Sequence, residues 1–205
     1  MTGDDEWHDV SMLRDEDLAR LEAAWRTQQA PIVGKLLPGL TDARREELEA
    51  AHDVVLPAEL RRWWGWHDGV LGGGRRGGWD SSIGAPWNFL SLEEALDVRR
   101  FQVERDPFPP SADLWDGEWA PWWLPVFKAG SAHFFADLSA ATDDGVPMHL
   151  WAPQPDPPFT AVFASLGEMI RCCATGIERR HFVWLSDLQE WEISDFISAD
   201  AMRLL

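Results

Sequence analysis

Scarce cysteine and the lack of long apolar runs set the first limits on this sequence. Its two cysteines, Cys172 and Cys173, are adjacent, which rules out a disulfide framework and a CxxC metal-binding pair. No stretch has the length and apolarity of a membrane span, and the acidic N-terminus lacks the apolar core of a secretory signal. We therefore expect a protein of a reducing compartment, by default the cytoplasm, with no membrane partner.

The common catalytic and metal-binding motifs are also missing. There is no GxSxG elbow, no HExxH helix and no EF-hand loop. The glycine-rich segment 72–78 does not qualify as a phosphate-binding loop, because a helix is predicted before it and no Lys-Ser/Thr pair opens a helix after it. His133 and His149 fall on predicted strands that could be neighbours, yet ordinary strand histidines explain them more simply. We predict no enzyme activity, no catalytic residue, no metal and no cofactor.

Basic residues are scarce relative to acidic ones. The chain has 35 Asp and Glu against 18 Lys and Arg, which gives a net charge of -17. This excess argues against binding to the phosphates of nucleic acids and against anionic membranes. It suits a basic protein partner, because opposite potentials accelerate encounter and add specificity. Plain solubility is the simpler alternative.

The length and composition are those of one globular domain with additions. At 205 residues and 45% hydrophobic content, the chain can bury a substantial core. We predict three parts, which are an N-terminal helix and turn (1–40), an α+β domain (41–177) and a C-terminal helical extension (178–205). The extension has apolar residues at approximate helical spacing, namely Leu188, Trp191, Phe196 and Ile197.

The stretch from 119 to 138 is the centre of the predicted fold. Strands are expected over Trp123–Lys128 and His133–Asp137, joined by a turn at Ala129–Ser131. A hairpin with this apolar content is not stable alone in water. We therefore expect it to lie within a sheet that is covered by helices. Further strands are expected at 87–90, 148–151 and 159–163, and helices at 13–30, 41–52, 57–69, 91–104 and 165–176.

An ordered set of motifs resembles the SUKH superfamily, which includes fungal cell-wall-assembly regulators and bacterial immunity proteins. The resemblance covers about residues 40 to 175. Its motifs are Leu56-Pro57 with Leu60, Trp63-Trp64, Asp68-Gly69, Trp87 with Leu90-Ser-Leu-Glu-Glu-Ala95, Trp123-Leu-Pro-Val-Phe127, Phe135-Ala-Asp-Leu138 and Phe163-Ala-Ser-Leu-Gly-Glu168. The sequence departs from the pattern at Asp68, where asparagine is usual, and at Ala132, where a turn glycine is lost.

The resemblance implies both a fold and a class of function. The implied fold is an α+β domain in which helices flank an antiparallel sheet of about four to six strands. The implied function is non-enzymatic protein binding, and in bacteria the neutralisation of a cognate toxin such as a nuclease or deaminase. A basic toxin domain is therefore the expected partner, and it matches the acidity of this chain.

Acidic and aromatic residues in loops are the predicted contacts with that partner. Acidic side chains would pair with a basic cleft, and tryptophan would anchor the centre of the interface. The predicted contact residues are Asp68, Asp80, Asp113, Trp115, Asp116 and Glu118. By contrast, Trp123, Pro125 and Asp137 are assigned to the fold.

Two other functions remain open at this stage. Resemblance to the fungal members suggests an intracellular regulatory scaffold, in which the tail from Glu178 would be the interaction element. A glycan-binding module is the third alternative, because exposed faces of Trp115, Trp119 and Trp122 could stack on sugars.

Overall fold

The computed structural model describes residues 12–73, 78–105, 119–152, 162–194 and 203–204. Over these ranges the chain forms five α-helices and eight β-strands, all of whose pairings are antiparallel. The helices are α1 Asp15–Thr27, α2 Asp42–His52, α3 Ala58–Trp66, α4 Leu92–Arg105 and α5 Leu166–Glu178. The strands are β1 Leu36–Pro38, β2 His67–Val70, β3 Asn88–Phe89, β4 Trp123–Ala129, β5 Ala132–Asp137, β6 Met148–Trp151, β7 Phe182–Leu185 and β8 Glu190–Ile193. The predicted α+β fold with an antiparallel sheet is confirmed.

The predicted hairpin lies at the centre of a four-stranded sheet of order β3-β4-β5-β6. Its register pairs Trp123 with Asp137 at one end and Ala129 with Ala132 at the turn. Gly130 forms that turn with a φ of +59°, a conformation that glycine adopts without strain. The register shifts after Pro125, which has no N–H to donate to the ladder.

The two faces of this sheet carry different cores. Because side chains alternate along a strand, Phe134 and Ala136 face the helices while Phe135 faces the other side. On the helix side, the indole of Trp63 in α3 packs 4.3 Å from the ring of Phe89. The other side holds a separate cluster of buried side chains, which we call the aromatic cluster: Trp119, Ala120, Trp123, Phe135 and Trp151.

A buried carboxylate joins three distant segments on the helix side. Glu59 is 1% exposed and accepts three backbone N–H groups. Its Oε1 accepts from Leu13 at 2.9 Å and from Gly167 at 2.7 Å, and its Oε2 accepts from Val146 at 2.7 Å. One side chain on α3 therefore fixes the start of α1, the start of α5 and the connection between β5 and β6.

The ribbon formed by β1 and β2 corrects two local predictions. The turn predicted at the end of the N-terminal part (1–40) contains the strand β1, and the predicted helix 57–69 ends at Trp66 because β2 begins at His67. Leu36 pairs with Val70, and Pro38 pairs with His67. The partner that stabilises each extended segment lies about thirty residues away, so no local signal revealed it.

The described part of the predicted C-terminal helix is a hairpin instead. Strands β7 and β8 pair Trp184 with Trp191, and these rings meet edge to face at 5.6 Å. The rest of that predicted helix, 195–202 and 205, lies outside the described residues, as does most of the predicted strand 159–163. Near the C-terminus, Leu204 is fully buried and its carbonyl accepts a hydrogen bond from the indole N–H of Trp87.

Across the described ranges, none of the helices combines the length and apolarity needed to cross a membrane.

Candidate partner-binding surface

Two of the six predicted contact residues can be placed. Asp113, Trp115, Asp116 and Glu118 lie outside the described residues, so their role remains a prediction. Asp68 and Asp80 lie towards opposite ends of the β1–β2 ribbon. Asp68 follows His67 at one end. Lys35, the ion-pair partner of Asp80, precedes Leu36 at the other.

Asp68 holds the beginning of α4. Its Oδ1 accepts the backbone N–H of Leu92, the first residue of that helix, at 2.8 Å. The pKa of Asp68 is raised above its usual range, chiefly because burial penalises the charged form. The carboxylates of Glu93 and Glu94 raise this pKa further, whereas the Leu92 N–H and Arg44 oppose the shift. Asp68 thus lies in a negative environment at the edge of the protein.

The negative environment extends over neighbouring helices, and we call Glu47, Asp68, Glu93 and Glu94 the acidic surface. Arg44 donates to Glu47 at 2.6 Å and lies 3.8 Å from Glu93. The side chains of Glu47 and Glu93 are each 67% exposed. Glu94 forms a capping box with Ser91, because its carboxylate accepts the Ser91 N–H at 3.1 Å and its own N–H donates to the Ser91 hydroxyl at 3.2 Å. The acidic surface is therefore built from α2, β2 and the first turn of α4.

Asp80 belongs to a short 3-10 turn, Trp79–Ser81, that follows the glycine-rich segment. Its Oδ2 forms an ion pair with the ammonium group of Lys35. The neighbouring Trp79 is 40% exposed, and it is one of few large apolar side chains at the described surface. The predicted contact Asp80 is thus adjacent to an exposed tryptophan that the sequence had not singled out.

Trp79 borders a small cleft between this turn, β3 and the β4–β5 turn. Its volume is about 220 Å³. We call it the Trp79 cleft, and its lining residues are Gly78, Trp79, Ser82, Pro86, Asn88, Ala129 and Gly130. The cleft escaped sequence reasoning because its residues come from three separated segments. The one local signal was a tryptophan followed by an aspartate directly after a run of glycines.

The aromatic cluster is packed rather than open. Trp119 is 1% exposed and Trp123 is 4% exposed, so neither ring can offer a face to a sugar. This corrects the glycan alternative at Trp119, and it confirms that Trp123 belongs to the fold. Trp122 is partly buried against the same cluster, and Trp115 lies outside the described residues.

His133 and Cys173 are buried side chains that pack in the interior of the described structure. His133 lies between Trp119 and Trp151 at 5.9 and 5.8 Å, and burial lowers its pKa to about 4, with a further contribution from Lys128. Cys173 is fully buried, donates to the Ile83 carbonyl at 2.8 Å, and has a raised pKa because burial disfavours the thiolate. Within the described ranges, no group of three or more His, Cys, Asp or Glu side chains could hold a metal ion.

The comparisons with known proteins agree with the motifs. Residues 39–172 match the model of the SMI1 / KNR4 family (SUKH-1). No curated protein matches the chain. The family match supports a protein-binding role of the immunity or SMI1/KNR4 type.

Proposed function

Because the chain belongs to the SMI1 / KNR4 family (SUKH-1), we propose that it is a non-enzymatic immunity protein that binds and neutralises a basic toxin domain in the cytoplasm. The observation that carries this proposal is the acidic surface. The side chains of Glu47 and Glu93 are each 67% exposed there, and Asp68 lies near them with a raised pKa. A basic cleft of a toxin would complement such a surface.

The proposal also uses the distribution of the positive charges. Most described cations form ion pairs with carboxylates of the same chain, and the chain still has a surplus of 17 acidic residues over its basic ones. Cations in such pairs are Arg20, Arg26, Lys35, Arg44, Arg45, Arg61, Arg62, Arg100, Arg171 and Arg203. With a net charge of -17, the protein attracts basic partners over distances of about a Debye length, roughly 8 Å at physiological salt.

The regulatory-scaffold alternative uses the tail from Glu178 as the interaction element. The described part of this tail is packed into the main core. Phe182, Trp184 and Trp191 are buried in the main core. Deletion of residues 178–205 would therefore remove part of that core, and loss of binding would not distinguish an interaction element from a damaged fold. Substitutions on the exposed surface separate the alternatives more cleanly.

Charge reversal on the acidic surface tests the proposal. We expect the double variant Glu47→Lys/Glu93→Lys to bind the protein encoded by the neighbouring gene roughly tenfold more weakly at low salt, mainly through slower association. Co-expression with that protein should then protect cells less well than the wild type does. Association rates and affinities measured by surface plasmon resonance check the first expectation, and a growth assay checks the second.

A matched control changes the net charge by the same amount elsewhere. Asp143 lies in the β5–β6 connection and Glu192 lies on β8, and both are exposed. The variant Asp143→Lys/Glu192→Lys should retain most of the affinity. If no complex forms with the wild type at low salt, or if both double variants lose affinity equally, the acidic surface is not the binding site.

A further inference from the structure

Among the described residues, a polar atom at the Trp79 cleft has no hydrogen-bond partner. Asn88 lines the cleft and is 8% exposed, and its Oδ1 receives no hydrogen bond from the described residues. Its Nδ2 donates to the carbonyl of Lys128 at 3.4 Å, and the reversed amide would place two carbonyl oxygens against each other. A buried acceptor without a donor is unfavourable, so a ligand that supplies a donor gains from satisfying it.

Two further groups surround this acceptor. Trp79 exposes 40% of its surface and contributes an aromatic wall. A Cβ atom built on Gly78 would lie 3.2 Å from Asp80 Oδ1, so this carboxylate oxygen lies beside one of the lining residues of the cleft. That oxygen accepts a long hydrogen bond of 3.4 Å from Ser81, while Oδ2 is paired with Lys35. The cleft thus combines one aromatic face with the oxygen acceptor of Asn88, and the carboxylate of Asp80 lies close by.

The size of the cleft limits what it can hold. Its volume of about 220 Å³ is below the roughly 300–1,000 Å³ of pockets that bind drug-sized ligands. A single side chain of a protein partner is a better match than a nucleotide or another large cofactor.

We infer that the Trp79 cleft binds the guanidinium group of an arginine side chain presented by a basic protein partner. A guanidinium is planar, carries five N–H donors, stacks on indole rings and is weakly hydrated for a cation. Trp79 supplies the stacking face and Asn88 Oδ1 supplies an acceptor, while the carboxylate of Asp80 lies beside the lining residue Gly78. The inference rests on the proposed function, because it names the chemical group by which the partner would be recognised.

The test uses N-acetyl-arginine methylamide as a probe and the ¹⁵N-labelled full-length chain. We expect saturable NMR shifts of the Trp79 indole N–H and of the Asn88 side-chain amide, with a dissociation constant on the order of millimolar. Trp79→Ala and Asn88→Ala should each weaken binding of the probe by roughly tenfold or more. Binding to Trp79→Ala is measured from the side-chain amide signal of Asn88, and binding to Asn88→Ala from the indole N–H signal of Trp79. Phe101→Ala removes another exposed aromatic side chain, 61% exposed on α4, and should leave binding unchanged.

The probe itself has a matched control. N-acetyl-citrulline methylamide has nearly the same shape but no charge, and it should bind at least roughly tenfold more weakly than the arginine probe. Equal binding of the two probes, or absence of saturable shifts at either residue, would overturn the inference.

The partner separates this inference from the proposed function. If the neighbouring gene product binds and Trp79→Ala leaves its affinity unchanged, the cleft is not the arginine site although the immunity proposal stands. If the arginine probe binds to the cleft but the neighbouring gene product does not bind, the arginine site stands and the immunity proposal fails.

Discussion

The aromatic cluster and the Trp79 cleft both place tryptophan against the same four-stranded sheet, but they use it in opposite ways. In the cluster, Trp123 is 4% exposed and stacks on Phe135 at 4.3 Å. At the cleft, Trp79 is 40% exposed beside an asparagine oxygen that accepts no hydrogen bond from the described residues. The difference teaches that tryptophan content does not by itself mark a binding surface. The informative combination is an exposed ring next to an unsatisfied polar group.

Truncation of the two tryptophans should separate the regions most strongly. Trp123→Ala should lower the free energy of unfolding by about 3–5 kcal/mol, because it leaves a cavity in a packed cluster. Trp79→Ala should change this free energy by no more than about 0.5 kcal/mol, because the ring is already partly in water. Urea unfolding of both variants, followed by circular dichroism, checks the comparison. Similar losses of stability for the two variants would contradict the assignment of one ring to the core and the other to the surface.

Acid should lower the free energy of unfolding through protonation of His133, which packs against the aromatic cluster. The unfolded chain takes up a proton near the ordinary pKa of 6.5, whereas the folded protein does so only near about 4. Stability is therefore lost as the pH falls from 6.5 to 4, by about 3 kcal/mol from this group alone. His133→Phe should remove this part of the pH dependence.

The informative quantity is the difference in the free energy of unfolding between wild type and His133→Phe at each pH, because carboxylates elsewhere titrate in both proteins. Urea unfolding at several pH values between 4 and 7 supplies it. A difference that stays constant over this range would mean that the ring of His133 is not shielded from water as the packing of Trp119 and Trp151 implies.

Smaller effects should distinguish the two predicted acidic contacts. Asp68→Ala should cost about 1 kcal/mol, because the N–H of Leu92 loses its acceptor at the start of α4. Asp68→Asn keeps an acceptor and removes a charge that burial disfavours, so it should be at least as stable as the wild type at pH 7. Asp80→Ala breaks a partly exposed ion pair and should cost less than Asp68→Ala.

Thermal unfolding of these three variants provides the measurement. A raised pKa means that the folded form of Asp68 holds its proton at higher pH than the unfolded form does. Its contribution to stability is therefore present in acid and declines as the pH rises through the shifted pKa, and Asp68→Asn should abolish that decline. If Asp68→Asn is as destabilising as Asp68→Ala, the role of Asp68 is not that of a hydrogen-bond acceptor.

The parts of the fold that were predictable have local causes. The caps of α2 and α5 follow from Thr41 and Ser165, whose side chains accept the N–H groups of Arg44 and Glu168. The central hairpin follows from its aromatic content and a short turn. The sequence predicts a helix where the β7–β8 hairpin lies, because Leu188 and Trp191 are three residues apart, a spacing that a β-turn followed by a strand also produces.

The candidate site was less predictable because its contacts are distant in sequence. Asp80 pairs with Lys35, which lies 45 residues earlier, and the Asn88 amide meets the carbonyl of Lys128, which lies 40 residues later. Asp68 looked like a free acid in sequence, but its position beside Leu92 turns it into a helix cap. Composition predicted the acidity of the surface, while its location depended on how α2, β2 and α4 pack.

The most direct test of the proposed function is isothermal titration of the full-length protein with the protein encoded by the neighbouring gene at two ionic strengths. The acidic surface predicts a complex at low salt whose affinity falls when the salt is raised, because exposed charges are screened. Absence of a complex at low salt, or an affinity that does not depend on salt, would contradict the proposal that this protein recognises a basic partner through its acidic surface.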